Sequence, residues 1–367
     1  MSSPTVRAGV FLGDGRYEVR EFAAPSAPPG GAVLAVEAVG LCGSDLAELQ
    51  GVADVPGQTF PVVPGHETVA RILEITPEAA AAWGLAEGDR VCVDEVLRCG
   101  VCAACRAGDP ACAQMQVYGY TLGVERDSGL WGGYGERMTV LPGTNLHRVP
   151  DDIPAEELTM FEPLANAVNW VQRAAVQLGD VVVVQGPGHQ GLACVIAARA
   201  AGASQVIVTG VAGDELRFDA ARALGADATI DVTETDPVAR VGELTAGHMA
   251  DVVMDIAAVT TATVPLAVGL TRPYGHVLLA GLKHFRPVEG LITDLIVLKS
   301  LTVVGGAGFT PASMRAAVGL LVSDRVDRSV LVGDVVTLDH LGEGLALLGR
   351  EIEGRDSVHV SLAMTGS

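Results

Sequence analysis

Apolar positions change rhythm once along the chain. Up to about residue 160 they come in short runs, as at 32–39 and 90–93, broken by proline and glycine (Pro28-Pro-Gly-Gly31, Pro56-Gly57, Pro61, Pro64). That pattern predicts short strands and turns, a β-rich region. From about Pro163 the pattern alternates between strand and helix. A β-branched run at 181–184 reads as a buried strand, followed by a compact Ala/Ile/Val helix over 192–201 and a second strand over 205–209. A helix over 218–224 and strands at 228–231, 251–255, 276–280 and 301–304 complete six candidate strands. Strands and helices in alternation predict an α/β domain, a doubly wound parallel sheet with helices on both faces. After Gly306 a mixed pattern returns, with a helix over 314–322 and a strand over 357–362. The organisation expected is a β-rich domain at 1–163 and 306–367, interrupted by an α/β domain at 164–305.

At 367 residues the chain is long enough for two such domains. Hydrophobic residues make up 49% and aromatics only 4%, so the core must be mostly Ala, Val, Leu and Ile. No apolar run approaches the ~20 residues of a membrane span, and residues 1–7 are not followed by an apolar signal core. A soluble, cytoplasmic protein with no membrane partner is the expectation. The net charge of −20 argues against nucleic acid as a partner, because phosphate binding needs a basic surface.

The run Val181-Val-Val-Val-Gln-Gly186-Pro-Gly188-His-Gln-Gly191-Leu sets Gly-x-Gly-x-x-Gly after a strand and before a helix. Gly186 allows a tight turn, Gly188 lets the backbone approach a pyrophosphate, and Gly191 permits close packing of helix on strand. The N–H groups of the helix start, including those of His189 and Gln190, then face the anion. A nicotinamide dinucleotide is the expected ligand. The end of the next strand, where an acid binds the ribose of NAD, is held by Gly210. Without that acid a 2′-phosphate meets no charge barrier, and Arg217 stands close enough in sequence to contact it, so the reading leans slightly to NADP. Asp214 is the alternative partner for the ribose hydroxyls.

Cys99, Cys102, Cys105 and Cys112 fall within fourteen residues. Short loops between thiolates let four sulfurs converge on one tetrahedral ion, as a structural zinc site requires. An odd total of seven cysteines and no secretory signal argue against disulfides. A structural zinc lobe over residues 95–115 is expected, while Cys92 and Cys194 read as core.

Gly40-Leu-Cys42-Gly-Ser44-Asp45, Pro64-Gly-His66-Glu67 and Phe161-Glu162-Pro-Leu-Ala165 stand out around these features. Together with the cysteine lobe and the glycine loop, in this order, they resemble the zinc-dependent medium-chain alcohol dehydrogenases, in particular the sorbitol and threonine dehydrogenase branch. The resemblance implies a GroES-like catalytic domain joined to a Rossmann domain. It implies two zinc ions per chain, one catalytic and one structural, with Cys42, His66 and Glu162 as catalytic ligands. By the same resemblance, Glu67 corresponds to the neighbouring carboxylate that binds the metal or exchanges with water. Asp45 resembles the acid that orients the ligand histidine, and Ser44 matches the hydroxyl that takes the alcohol proton. The implied reaction is reversible hydride transfer between a secondary alcohol or polyol and a nicotinamide cofactor, in a homotetramer or homodimer.

Three positions depart from the family pattern. Ala47 stands where a histidine often ends the proton relay, leaving the cofactor ribose or Glu48 to continue it. Six residues rather than seven separate Cys105 from Cys112. The nearest match to a C-terminal basic residue at the cofactor pyrophosphate is His359. Leu49, Phe60, Tyr118, Tyr120 and Glu125 are candidate pocket residues. Two rival functions remain: a non-catalytic zinc- and nucleotide-binding scaffold, and a zinc-free quinone or enoyl reductase of the same superfamily.

Overall fold

The longest apolar run of the first third, Ala32–Leu41 (β1), is buried along almost its whole length because it lies centrally in a mostly antiparallel sheet, in which only Asp334–Thr337 and Val360–Ala363 pair parallel among the described strands. In this computed structural model, which describes residues 4–52, 55–108 and 112–364, β1 pairs with Glu67–Ile75 on one edge and with Val360–Ala363 on the other. The register brings Gly40 opposite Glu67 and Leu41 opposite Val360, so the end of β1 meets residues far along the chain. Around it close Phe11, Leu34, Ile72, Trp131, Tyr134 and Leu362, all essentially without solvent contact. Such burial drives the unit together at roughly 25 cal/mol per Å² of apolar surface removed from water.

Short helices interrupt the expected strands and turns of this region, at Ala103–Ala107 and Ala155–Leu158 and, longer, at two other places. Gly43–Leu49 (α1) follows β1 directly, and Pro77–Trp83 starts at a Thr76 cap with proline in its first turn and ends at Gly84 in the left-handed region. Each has seven residues, two turns, too few for a 3.6-residue period to stand out.

The second unit carries the alternating pattern. Val181–Gln185 (β2), Gln205–Gly210 (β3), Ala228–Asp231 (β4), Ala250–Asp255 (β5), Thr271–Leu279 (β6) and Thr302–Gly305 (β7) form one parallel sheet in the order β4-β3-β2-β5-β6-β7. The order reverses direction between β2 and β5, which is the doubly wound arrangement, and ligands bind at that switch point outside the strand C-termini. His189–Ala200 (α2), which follows β2, is buried at eight consecutive positions from Gly191 to Ala198.

The chain divides by its contacts at Glu162/Pro163 and at Leu331/Val332. The second crossing differs from the expected 306. Helix Pro311–Leu321 buries Met314, Ala317, Val318 and Leu321, and its Leu320 lines a cavity with Ile196 and Leu224 of the α/β unit. An amphipathic helix completes the layer it packs on, and the rhythm of its own sequence does not say which layer that is. Among the described residues no helix is long and apolar enough to cross a membrane.

Candidate metal and dinucleotide sites

In the first unit, β1 ends at Leu41, and the turn into α1 projects Cys42 beside the strand that begins at Glu67. His66, Glu67 and Glu162 each offer a ligand atom within 4.8 Å of the others, and all three are buried. The Cys42 sulfur lies within 4.8 Å of a Glu67 carboxylate oxygen. The structure thus brings together Cys42, His66, Glu67 and Glu162. Gly40 makes the room: a Cβ there would lie 1.9 Å from Glu67 Oε2. Burial pushes the Glu67 carboxyl well above its ordinary range, with the Cys42 thiol adding to it. Burial would lower His66, but Cys42 and Asp45 outweigh that and raise it.

Around these groups the hydrogen bonds are specific. Asp45, fully buried, accepts from the Cys42 N–H at 2.8 Å and from the Tyr134 hydroxyl at 2.6 Å, with its other oxygen 3.5 Å from His66 Nδ1. A carboxylate facing the second nitrogen of a ligand histidine fixes its tautomer and orientation. Burial pushes Asp45 up to about 6. Ser44 Oγ lies 2.9 Å from the Tyr120 hydroxyl, which lies 3.2 Å from His66 Nδ1. One turn further along α1, Glu48 is buried, with Gln58 Nε2 donating to its Oε1 at 3.4 Å. Burial, then Asp45, pushes Glu48 up to about 9.

Several residues stand apart from their expected places. His359 lies buried in this unit, 3.2 Å from Thr159 Oγ1 and 3.6 Å from Glu67 Oε2, so its contacts are with the carboxylate cluster. Tyr118 is a core residue: its hydroxyl bonds Thr144 Oγ1 at 2.7 Å and accepts from the Leu141 N–H. Glu95 belongs beside the cluster although its spacing gave no hint of it. It is buried and raised well above its usual range by burial and then Glu162. Tyr134, too, carries no motif; the sequence signal was only the glycine-rich run that packs it against Gly65.

The four lobe cysteines offer sulfurs within 4.8 Å of one another, and none of the chain's seven cysteines is in a disulfide. Backbone N–H groups point at these sulfurs, from Cys102 to Cys99 Sγ at 3.4 Å and from Cys105 to Cys102 Sγ at 3.4 Å. Donation from Val101 and Cys102 pushes Cys99 down to about 6. The shortened Cys105–Cys112 connection runs through residues 109–111, outside the described residues. Cys92 and Cys194 are core, and burial pushes both thiols up.

In the second unit the glycine loop has the packing its roles require. Gly186 adopts φ 103°, and a Cβ on Gly191 would stand 1.9 Å from the Gly186 carbonyl oxygen. Gly188 meets nothing within 4 Å, leaving open backbone for an anion at the start of α2. His189 is the first residue of α2, and Gln190 commits its side chain to the Pro163 carbonyl at 2.8 Å, so only its backbone N–H faces a ligand. At the end of β3, a Cβ on Gly210 would meet Asp214 Oδ2 at 2.7 Å and the Phe218 ring at 2.8 Å. An acid cannot be accommodated there, because the Asp214 carboxylate, held by the Val211 N–H at 2.9 Å, already fills the place. Arg217 is buried, 3.9 Å from Asp214 Oδ1.

Both donor sets fit zinc. Four convergent thiols make a closed tetrahedral set, and thiol, imidazole and carboxylate make the mixed set of a catalytic site. The buried groups of the mixed set repel one another in their anionic forms, a cost that a divalent cation offsets. Comparison with known proteins agrees. Residues 28–151 match the alcohol dehydrogenase GroES-like domain, and residues 191–323 match the zinc-binding dehydrogenase domain. A probable alcohol dehydrogenase of Mycobacterium tuberculosis is 39% identical over 96% of this chain and 97% of its own.

The chain belongs to the zinc-dependent medium-chain alcohol dehydrogenases.

An erythritol/L-threitol dehydrogenase of Mycolicibacterium smegmatis is 33% identical over 97% of each chain. A Sinorhizobium meliloti structure assigned as a zinc-binding dehydrogenase and bound to NADP superposes with a TM-score of 0.85 at 26% identity, covering 98% of this chain and 100% of that one. This dehydrogenase is accordingly a zinc- and nicotinamide-dependent oxidoreductase acting on alcohols, with the GroES-like and Rossmann architecture of its family.

Proposed function

We propose that the enzyme interconverts secondary alcohols or polyols and the corresponding ketones, with Cys42, His66 and Glu162 holding a catalytic zinc and Glu67 its exchangeable neighbour. The observation that carries this reading is the convergence of buried His66, Glu67 and Glu162 ligand atoms within 4.8 Å of one another, with the Cys42 sulfur within the same distance of a Glu67 oxygen. When bound, zinc supplies Lewis-acid polarisation of the substrate oxygen and the nicotinamide supplies the hydride acceptor. Asp45 keeps His66 in one orientation. Ser44 takes the alcohol proton and the Tyr120 hydroxyl at 2.9 Å aligns it, while Ala47 offers no side chain to continue the relay. Cys99, Cys102, Cys105 and Cys112 hold a second zinc with no open position, a structural one.

The N–H groups of residues 188–191 bind the cofactor pyrophosphate, and the lean is to NADP, supported by the missing acid at Gly210. Asp214 supports a second reading, NAD, since its carboxylate stands where that acid would be. A homotetramer or homodimer is supported by the apolar exposure of the second unit: β7 is a sheet edge, and Tyr274, Phe285, Val297 and Leu298 are 74%, 104%, 72% and 80% exposed. A cytoplasmic setting is supported by seven cysteines without a disulfide. Metal analysis is the direct test. Two zinc ions per wild-type chain, falling to one in Cys42→Ala with turnover lost and cofactor binding kept, is the expected result. Turnover that survives metal removal would instead indicate a zinc-free reductase. Tight cofactor binding without turnover on any alcohol or ketone would indicate a scaffold.

A further inference from the structure

Glu48 is only 1% exposed, and its Oε2 takes no hydrogen bond from any described residue. Its neighbour Gln58 repeats the pattern. Gln58 Nε2 donates to Glu48 Oε1 at 3.4 Å, a long and weak bond, while Gln58 Oε1 is buried with no partner among the described residues. A buried polar atom left unsatisfied is costly, and two such atoms on neighbouring side chains point to a ligand that completes them.

Position identifies that ligand. Glu48 follows Ser44 by four residues on α1, so the two side chains share one face, roughly 5–6 Å apart at their Cβ atoms. Ser44 leads through Tyr120 to His66, the chain of groups that handles the reacting hydroxyl in the reading above, on which this inference rests. A substrate held by its reacting hydroxyl beside Ser44 directs a second hydroxyl, one or two carbons along, toward the face that carries Glu48. We infer that Glu48 and Gln58 form a hydroxyl-binding subsite that selects polyols over mono-alcohols. A carboxyl and an amide together offer both donor and acceptor positions, which matches an O–H group and not a methyl. A site built to hydrogen-bond a hydroxyl discriminates strongly against the analogue without one, since its own buried groups are then left unpaired.

The experiment measures kcat/KM of the zinc- and cofactor-loaded enzyme on a four-carbon polyol and on 2-butanol, for wild type, Glu48→Leu and the isosteric Glu48→Gln. Polyol affinity is measured separately by calorimetry on the same loaded proteins. The wild type is expected to favour the polyol. Glu48→Leu lowers the polyol-to-butanol ratio by about tenfold or more and weakens polyol binding in proportion, while Glu48→Gln recovers most of the ratio. Equal losses on both substrates, with polyol binding unchanged, would assign Glu48 a structural role and overturn the inference. So would a wild type that turns over 2-butanol as efficiently as the polyol, a result that leaves the dehydrogenase reading standing. Turnover of neither alcohol overturns both.

Discussion

The two cysteine-bearing clusters of the first unit differ in what surrounds them. In the lobe, four ligand atoms of one kind sit on a short segment, three of the four residues only half-buried, and their nearest donors are backbone N–H groups of the same loop. In the mixed cluster the ligand atoms come from three distant stretches and are enclosed by Asp45, Tyr120, Tyr134, Glu48 and Glu95, each buried. A segment that carries its own ligands and their hydrogen bonds needs little from the rest of the fold. A site that must hold a reactive group in one orientation depends on side chains supplied by the whole sheet.

Substitutions at equivalent positions of the two clusters should therefore separate chemistry from stability. Cys42→Ala is expected to cost about 10³-fold or more in kcat/KM while moving the melting temperature little, and steady-state kinetics beside calorimetry checks both. Cys102→Ser should do the reverse. With a closed site lost, the melting temperature falls by several degrees and assembly weakens, with a smaller loss of kcat per folded chain. A variant fully stable yet inactive at Cys102 would erase the distinction.

Tyr120→Phe sharpens the contrast from inside the mixed cluster. It removes the hydroxyl between Ser44 and His66 without emptying the core, and a fall of about 10–100-fold in kcat is expected, with zinc content unchanged. No counterpart to Tyr120 lies in the lobe among the described contacts.

The pH response should differ as well. Glu48, raised from 4.5 to about 9, holds its proton more tightly in the folded chain than in the unfolded one. Its contribution to stability is complete below about pH 4.5 and is lost as pH rises toward 9. Glu48→Gln should flatten the decline in stability across that interval in denaturant titrations. In the lobe, Cys99 lowered to about 6 is thiolate at neutral pH. After chelation a thiol reagent should modify the lobe first, leaving Cys92 and Cys194 unreacted in the native state.

The smallest effect expected is at the second unit. Asp214→Ala should shift the ratio of NADP⁺ to NAD⁺ efficiency upward by a few-fold, measured as paired kcat/KM values. A large fall in NAD⁺ binding with no gain for NADP⁺ would favour the ribose role of Asp214.

The strands between Val181 and Gly305 were legible because a parallel strand covered on both faces must be continuously apolar, and the helices His189–Ala200 and Glu215–Ala223 because they are long enough to display their pattern; Pro237–Leu244, Thr263–Leu270 and Thr293–Leu298, of eight, eight and six residues, were not. The lobe was legible for a related reason: its ligands are neighbours in sequence. Cys42, His66 and Glu162 came from likeness to a family, since nothing in their spacing along the chain brings them together. The helix α1 escaped notice at seven residues, and with it the alignment of Ser44 with Glu48.

Local chemistry belonged to the sequence: the glycine turn after β2, the four thiols within fourteen residues, and the core composition, each governed by contacts a few residues apart. Only the tertiary structure decided that His359 lies against Glu67, that Tyr120 stands between Ser44 and His66, and that Asp214 fills the space beside Gly210. The reason is register. Antiparallel pairing sets Gly40 opposite Glu67 and Leu41 opposite Val360, and which side chains then share a buried space follows from strand order, a property that no stretch of the chain carries alone.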